Sequence, residues 1–243
     1  MTLKTFFGTA ADFPYTFKRD TQPPLSFKDP RFPEQIQQLA QQLGLTNLYF
    51  NFQVHGIEGR VVGSDPHQRV DLKSHDGDYL ITNTPEVGIG VFTADCLPIV
   101  FYAPHEQAVA VAHAGWKGSV AGIATVVVDR LKHEFNVNPA SLQVWFGAAG
   151  KVCCYEVKDD FITKLKAAMP NSNSNELIVQ RDGKQNFNNT LLNQRLLIAA
   201  GVQEKNIDLS HHDCTICNHA YHSYRRASDK EVYKAQATIA WLE

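Results

Sequence analysis

The sequence predicts an α+β fold in one globular unit, and three observations predict it. Apolar, β-branched runs crowd the stretch from about residue 79 to 114, helix-period patterns precede and follow that stretch, and 44% of the 243 residues are hydrophobic. A chain of that size and apolar content can bury a substantial core.

The elements follow in order. Residues 3–7 read as a short strand, and residues 33–43 (PEQIQQLAQQL) as a helix opened by proline and closed by Gly44. In LYFNFQVH, residues 48–55, aromatic and branched side chains alternate roughly with polar ones, which predicts a strand ending at His55, with Gly56 permitting a turn. The runs 79–82, 88–92, 97–102 and 108–114 are nearly unbroken apolar segments, the pattern of strands buried on both faces. If 97–102 and 108–114 pair antiparallel across the loop at 103–107, Cys96 at the start of one strand lies beside His113 at the end of the next.

Beyond AGWKG the period changes to that of a helix over about 118–134, whose first-turn amides and Lys117 would form an anion pocket next to His113. A strand at 142–147 is followed by a Gly/Ala turn and the adjacent Cys153 and Cys154. Then come a helix at 159–169 stopped before Pro170, a polar loop at 171–176, and a helix at 190–200 ending at Gly201. The closing ATIAWL, residues 237–242, fits a strand or a helix. No internal repeat and no glycine-rich dinucleotide fingerprint is present.

A formal charge of −2 and a pI near 6.5 give no basic field, so nucleic acid and anionic membranes are not expected partners and small molecules are. The N-terminus has neither the basic start nor the apolar core of a signal peptide, and no apolar run approaches a membrane span. Five cysteines, an odd number, suit thiols that act as ligands or nucleophiles in a reducing compartment. The expected location is the cytoplasm.

His55 in QVHG, Cys96 in TADCLP and His113 in HAGWKG are the candidate site. Two imidazoles and a thiolate make three ligands for a tetrahedral zinc whose fourth position stays open for chemistry. The same triplet suits a cysteine–histidine hydrolase, with either histidine deprotonating Cys96. It also suits a copper centre, a weaker fit because the ten histidines include no HxH pair and the only methionines are Met1 and Met169. Asp95 could orient a ligand or cap a turn. The segment 211–226 carries Cys214, Cys217 and four histidines, half of a structural zinc pattern. Arg225 and Arg226 follow SY, a tandem that can send one guanidinium to a phosphate and the other to a structural partner.

In order along the chain, QVHG (53–56), DGDYLIT (76–82), TADCLPIVF (93–101), AVAHAGWKGSVAGI (110–123), FGAAGKVCCYEV (146–157), CT (214–215) and SYRR (223–226) resemble the YfiH/YlmD-like family, whose members carry a laccase-domain or polyphenol oxidase label. The resemblance spans about residues 50–226 and rests on the ordered set. It implies a single-domain α/β sandwich of mixed β-sheets with flanking helices, here one domain over 1–243, and a zinc ion on His55, Cys96 and His113. It implies purine nucleosides and phosphate as substrates: phosphorolysis of adenosine, inosine, guanosine and methylthioadenosine, with adenosine deamination beside it. Lys117, Arg225 and Arg226 are the candidate phosphate-binding residues, and Trp116, Tyr155 and Tyr224 either stack on the base or pack. Three stretches depart from the family pattern: PPLSFKDP at 23–30, the proline-free GAAGKVCC, and SDKEVYKAQ at 228–236, which lacks the glycine–arginine pair that follows SYRR in the family. A weakly active zinc-binding protein that keeps the triplet for stability is the remaining alternative.

Overall fold

The structure is a computed structural model that describes residues 1–12, 16–18, 32–63, 76–169, 174–230 and 232–243. In chain order its elements begin β1 (Leu3–Phe7), β2 (Thr16–Lys18), α1 (Phe32–Gln42), β3 (Asn47–Phe50), β4 (Gly59–Val61), β5 (Tyr79–Thr82), β6 (Val87–Thr93), β7 (Leu97–Ala103) and β8 (Ala108–Ala114). There follow α2 (Trp116–Val120), α3 (Ile123–Phe135), β9 (Gln143–Phe146), β10 (Glu156–Val157), α4 (Asp159–Ala168), β11 (Ile178–Arg181), β12 (Lys184–Phe187) and α5 (Asn189–Ala199). The chain closes with β13 (Ile207–Asp208), β14 (Val232–Lys234) and β15 (Gln236–Leu242).

Two sheets carry the architecture. One has the order β1-β15-β6-β3 and the other β13-β9-β7-β8-β5-β4; smaller sheets join β10-β12-β11 and β14-β2. Both large sheets are mixed, with β3–β6, β4–β5 and β13–β9 parallel and the other pairs antiparallel. The alternation of side chains along each strand sorts the core into layers. Val100 and Tyr102 of β7 meet Ile89 and Val91 of β6 between the sheets. Ile99 and Phe101 point the other way, onto Ile123, Val127 and Leu131 of α3 and Leu197 of α5. Leu48, Phe50 and Ile239 cover the outer face of the smaller sheet under Leu39 and Ala40 of α1. The result is a helix–sheet–sheet–helix sandwich of mixed sheets, the α+β class that the sequence predicts. Burying a side chain such as Phe101, at 0% exposure, contributes about 1.5–3 kcal/mol.

The four apolar runs form β5 to β8 as predicted, and β7 and β8 pair antiparallel through Ala103↔Ala108 at the turn. The closing segment is a strand, paired with both β1 and β6. Two expectations need correction. The strand expected over 48–55 stops at Phe50, because the Gln53 carboxamide takes the place of a ladder partner: it donates to the Phe92 carbonyl at 2.7 Å and accepts the Phe92 N–H at 2.8 Å. The helix expected over 118–134 is two helices, α2 and α3, divided at Gly122, whose φ of 90° lies in the left-handed region. The polar loop expected at 171–176 is described only from 174, where a 3₁₀ turn begins, and the departing stretch 23–30 lies outside the described residues. Among the described residues no helix is long and apolar enough to cross a membrane.

Candidate metal centre

The hairpin register builds the site. Leu97 faces Ala114 and Pro98 faces His113, so Cys96, one residue before β7, arrives next to Gly115, one residue after β8. Strand β5 lies on the other side of β8 with Tyr79 opposite Ala112, which brings Asp78 level with His113. The loop after β3 then carries His55 over this end of the sheet. The donor atoms of His55, Cys96 and His113 lie within 4.8 Å of one another, and the Cys96 sulfur is 3.7 Å from His55 Nε2.

Asp78, fully buried, organises the candidate donors. Its carboxylate accepts the backbone N–H groups of His55 at 2.9 Å and Gly56 at 2.6 Å, and of Val54 at 3.3 Å, three successive donors that form a small anion nest. Its Oδ1 is 2.8 Å from His113 Nδ1. With Asp78 ionised, Nδ1 carries the proton and Nε2 is turned toward Cys96, the usual arrangement behind a metal-binding histidine. His55 itself has φ of 61°, so the left-handed residue is the candidate ligand and not Gly56; a non-glycine residue held there costs about 1–3 kcal/mol, a cost concentrated at functional sites.

Asp95 is the second organiser, also at a positive φ, 89°. Its backbone carbonyl accepts the Gly150 N–H at 2.8 Å, and its carboxylate accepts from the Thr215 hydroxyl at 2.7 Å and the Arg225 N–H at 2.7 Å. One residue next to Cys96, through its carbonyl and its carboxylate, thus gathers three distant loops.

Electrostatics follow from this crowding. Burial pushes the Cys96 thiol up, but the imidazoles of His113 and His55 outweigh it and hold the group down at about 6. Burial pushes His113 down, yet the Cys96 sulfur and the Asp78 carboxylate carry it up to about 10. Both shifts favour a thiolate on Cys96 beside an imidazolium on His113. Two imidazole nitrogens and a preformed thiolate, backed by a buried carboxylate, are a donor set that fits a metal ion with an open position.

Residues that sequence reasoning missed are Asp78 and Gly115. Asp78 stands in the quoted DGDYLIT segment, immediately before a strand that neighbours the His113 strand. A Cβ at Gly115 would sit 2.7 Å from His55 Cδ2 and 3.1 Å from the Cys96 sulfur, which explains the glycine of HAGW.

The other predicted residues lie around this centre. Lys117 is exposed in α2, two residues beyond Gly115. Arg225 is exposed, with its guanidinium 4.2 Å from the centre of the Tyr155 ring and a 2.5 Å hydrogen bond to the Glu156 carbonyl. Arg226 spends its guanidinium on the carbonyls of Thr215 at 2.7 Å, Ile216 at 2.9 Å and Tyr221. Trp116 packs on Phe161 and Tyr155 on Phe187, while the Lys230 ammonium lies over Tyr224.

Residues 30–243 match the family described as multi-copper polyphenol oxidoreductase laccase, and the chain belongs to that family. Within it the chain is of the YfiH/YlmD kind. The fold is similar to that of Bacillus licheniformis YfiH, with a TM-score of 0.76 at 25% identity over 93% of this chain and 85% of that one. It is equally similar to YlmD from Geobacillus stearothermophilus, with a TM-score of 0.75 at 26% identity over 99% and 91%. Among relatives of named activity, a protein named adenosine deaminase RL5, from an unknown prokaryotic organism, is 33% identical over 77% of this chain and 74% of its own length. The purine nucleoside phosphorylase of Borreliella burgdorferi is 30% identical over 67% and 69%. Purine nucleoside chemistry is thus the activity that named relatives carry.

Proposed function

We propose that the chain, over 1–243, is one catalytic domain: a zinc-dependent purine nucleoside phosphorylase with adenosine deaminase activity, acting in the cytoplasm on adenosine, inosine, guanosine and methylthioadenosine. The observation that carries this reading is the Asp78-anchored set of His55, Cys96 and His113, at the same end of the sheet as Tyr155 and Arg225. Zinc suits the donors better than copper: Met169 packs among Leu165 and Phe187 in a separate core, and Met1 is exposed, so neither offers the axial sulfur of a blue-copper centre. When bound, zinc supplies Lewis acidity toward a water or substrate oxygen.

The chain's own groups divide the remaining work. His55, Cys96 and His113 are the catalytic set, with Asp78 holding two of them in place. Burial pushes the Tyr155 phenol up, so it stays a neutral hydrogen-bond donor, and the Arg225 guanidinium rests against it. Arg225 and Lys117 supply the positive charge for phosphate, and Arg226 braces the loop that presents Arg225.

Incubation of zinc-loaded protein with adenosine, with and without phosphate, tests the proposal. Adenine with ribose 1-phosphate, formed only when phosphate is present, and inosine formed without it are the expected products. Absence of both overturns the reading. The depressed Cys96 thiol also supports a cysteine–histidine hydrolase; that enzyme keeps its activity after chelation, whereas the zinc enzyme loses it.

A further inference from the structure

A second cluster of potential metal ligands lies outside the triad. The sulfurs of Cys153, Cys154, Cys214 and Cys217 all lie within 4.8 Å of one another, and none is in a disulfide. Two tight turns deliver them. In the first, the N–H groups of Cys154 and Tyr155 both close on the Lys151 carbonyl at 2.9 Å, which puts the adjacent cysteines on one turn. In the second, the Asn218 N–H closes on the Cys214 carbonyl at 2.9 Å, folding the CxxC over itself. The turns are tied side by side: the Ala149 N–H donates to Asp213 at 2.9 Å, the Thr215 N–H to Ala149 at 3.0 Å, and the Lys151 ammonium to the His212 carbonyl at 2.9 Å.

We propose that Cys153, Cys154, Cys214 and Cys217 form a second metal site, a closed one that holds a single zinc ion through four sulfurs. The CxxC that is half a pattern in the sequence finds its other half in the tandem pair 60 residues earlier, counted from Cys154 to Cys214.

Dimensions favour one ion. A Zn–S distance of about 2.3 Å gives a tetrahedron with edges of about 3.8 Å, so an upper separation of 4.8 Å closes on zinc by side-chain adjustment alone. A multi-iron cluster would need its cysteine sulfurs spread well beyond that span. Cys214 is buried while Cys217 is exposed, which leaves a path for the ion.

With four protein ligands the site has no open position, so its role is structural. What it braces is the wall of the first centre. Cys214 precedes Thr215, whose hydroxyl holds Asp95 beside Cys96, and Cys154 precedes Tyr155, which lies under Arg225. Zinc here would fix both loops at once.

The test uses the full chain, purified under reducing conditions and analysed for metal by mass spectrometry, with His113→Ala removing the first centre. Cys96→Ser serves the same purpose should His113→Ala not fold. The expected result is one equivalent of zinc retained in the triad variant, released in step with modification of the cluster thiols by a mercurial reagent. Cobalt in place of zinc should give intense sulfur-to-metal charge-transfer bands, lost in Cys214→Ser with Cys217→Ser and shifted in Cys217→Ser alone. A triad variant that holds no metal overturns the proposal. So does an intact mass in the metal-free protein that shows the four thiols joined as two disulfides. Because the readout comes from a protein without the triad, it stands or falls apart from the nucleoside activity.

Discussion

The two cysteine-bearing clusters are assembled in opposite ways. The triad hangs on the end of a hydrogen-bonded ladder: Cys96 and His113 flank one hairpin, and Asp78 precedes the next strand over, so the sheet register sets their spacing. The four-cysteine cluster hangs on two surface turns joined by a few backbone hydrogen bonds, with Cys217 exposed. The first is a preorganised set of three candidate donors, the number that leaves a position open for chemistry; the second offers four sulfurs on weak scaffolding of its own, the pattern of a structural metal site. Catalysis needs donors held in place before the ion arrives, whereas a structural site can let the ion do the holding.

Asp78→Asn breaks the comparison most sharply. Asparagine keeps the shape but offers only one carbonyl oxygen where the carboxylate accepts four hydrogen bonds, and it removes the charge that favours Nδ1–H on His113. Loss of such an outer partner costs about 10–100-fold in metal affinity or activity. The triad should lose zinc to a chelator at that lower threshold, while metal on the four cysteines stays as in wild type. Equal loss at both clusters would show that Asp78 acts on the fold as a whole.

Much of the triad was legible in the sequence because its parts sit on regular structure. The runs 97–102 and 108–114 are apolar on both faces and separated by a short loop, so a simple hairpin is the local expectation, and that pairing places Cys96 beside His113. The QVHG strand was overread because Gln53 looks like one more residue of an alternating strand, and only the fold reveals that its side chain replaces the ladder. The helix break at Gly122 was missed because its neighbours keep the apolar period. Asp78 and the completed cysteine cluster were out of reach for a stronger reason: each depends on which segments become neighbours. A tandem CC carries no ligand spacing until Ala149 pairs with Cys214.

A smaller contrast separates the thiols of the metal-free protein. Cys96 is held at about 6, whereas burial and neighbouring thiols push Cys153 and Cys154 up from their ordinary value. Since the thiolate is the nucleophile, alkylation of Cys96 should rise with pH through about 6 and level off above it, while the pair reacts only in alkaline solution. The gain is modest. At about pH 7 the thiolate fraction is roughly thirtyfold that of an ordinary thiol, but a lower pKa also weakens the nucleophile, which leaves roughly a two- to threefold net advantage. Iodoacetamide labelling followed by peptide mass spectrometry across pH measures it, and zinc should abolish it. A Cys96 midpoint near 9 would remove the ion pair from the description of the triad.

The smallest expected effect falls at the loop that carries Arg225 and Arg226. Arg226 lies one residue from Arg225 and grips the carbonyls of Thr215 and Ile216 inside the CxxC turn, with a third bond to Tyr221. Arg226→Lys keeps the charge but cannot span three acceptors, and the lost bonds cost about 1–2 kcal/mol. A chain of this length then melts roughly 2–4 °C lower for each kcal/mol lost. If Arg226 is the brace and Arg225 the phosphate contact, Arg226→Lys lowers Tm and leaves the KM for phosphate unchanged, while Arg225→Ala raises that KM at constant Tm. The reverse pattern would exchange their roles. It would also mean that the guanidinium clasping the CxxC turn is free to leave for substrate, and that the turn keeps its shape through its backbone hydrogen bonds to Ala149 and within the CxxC.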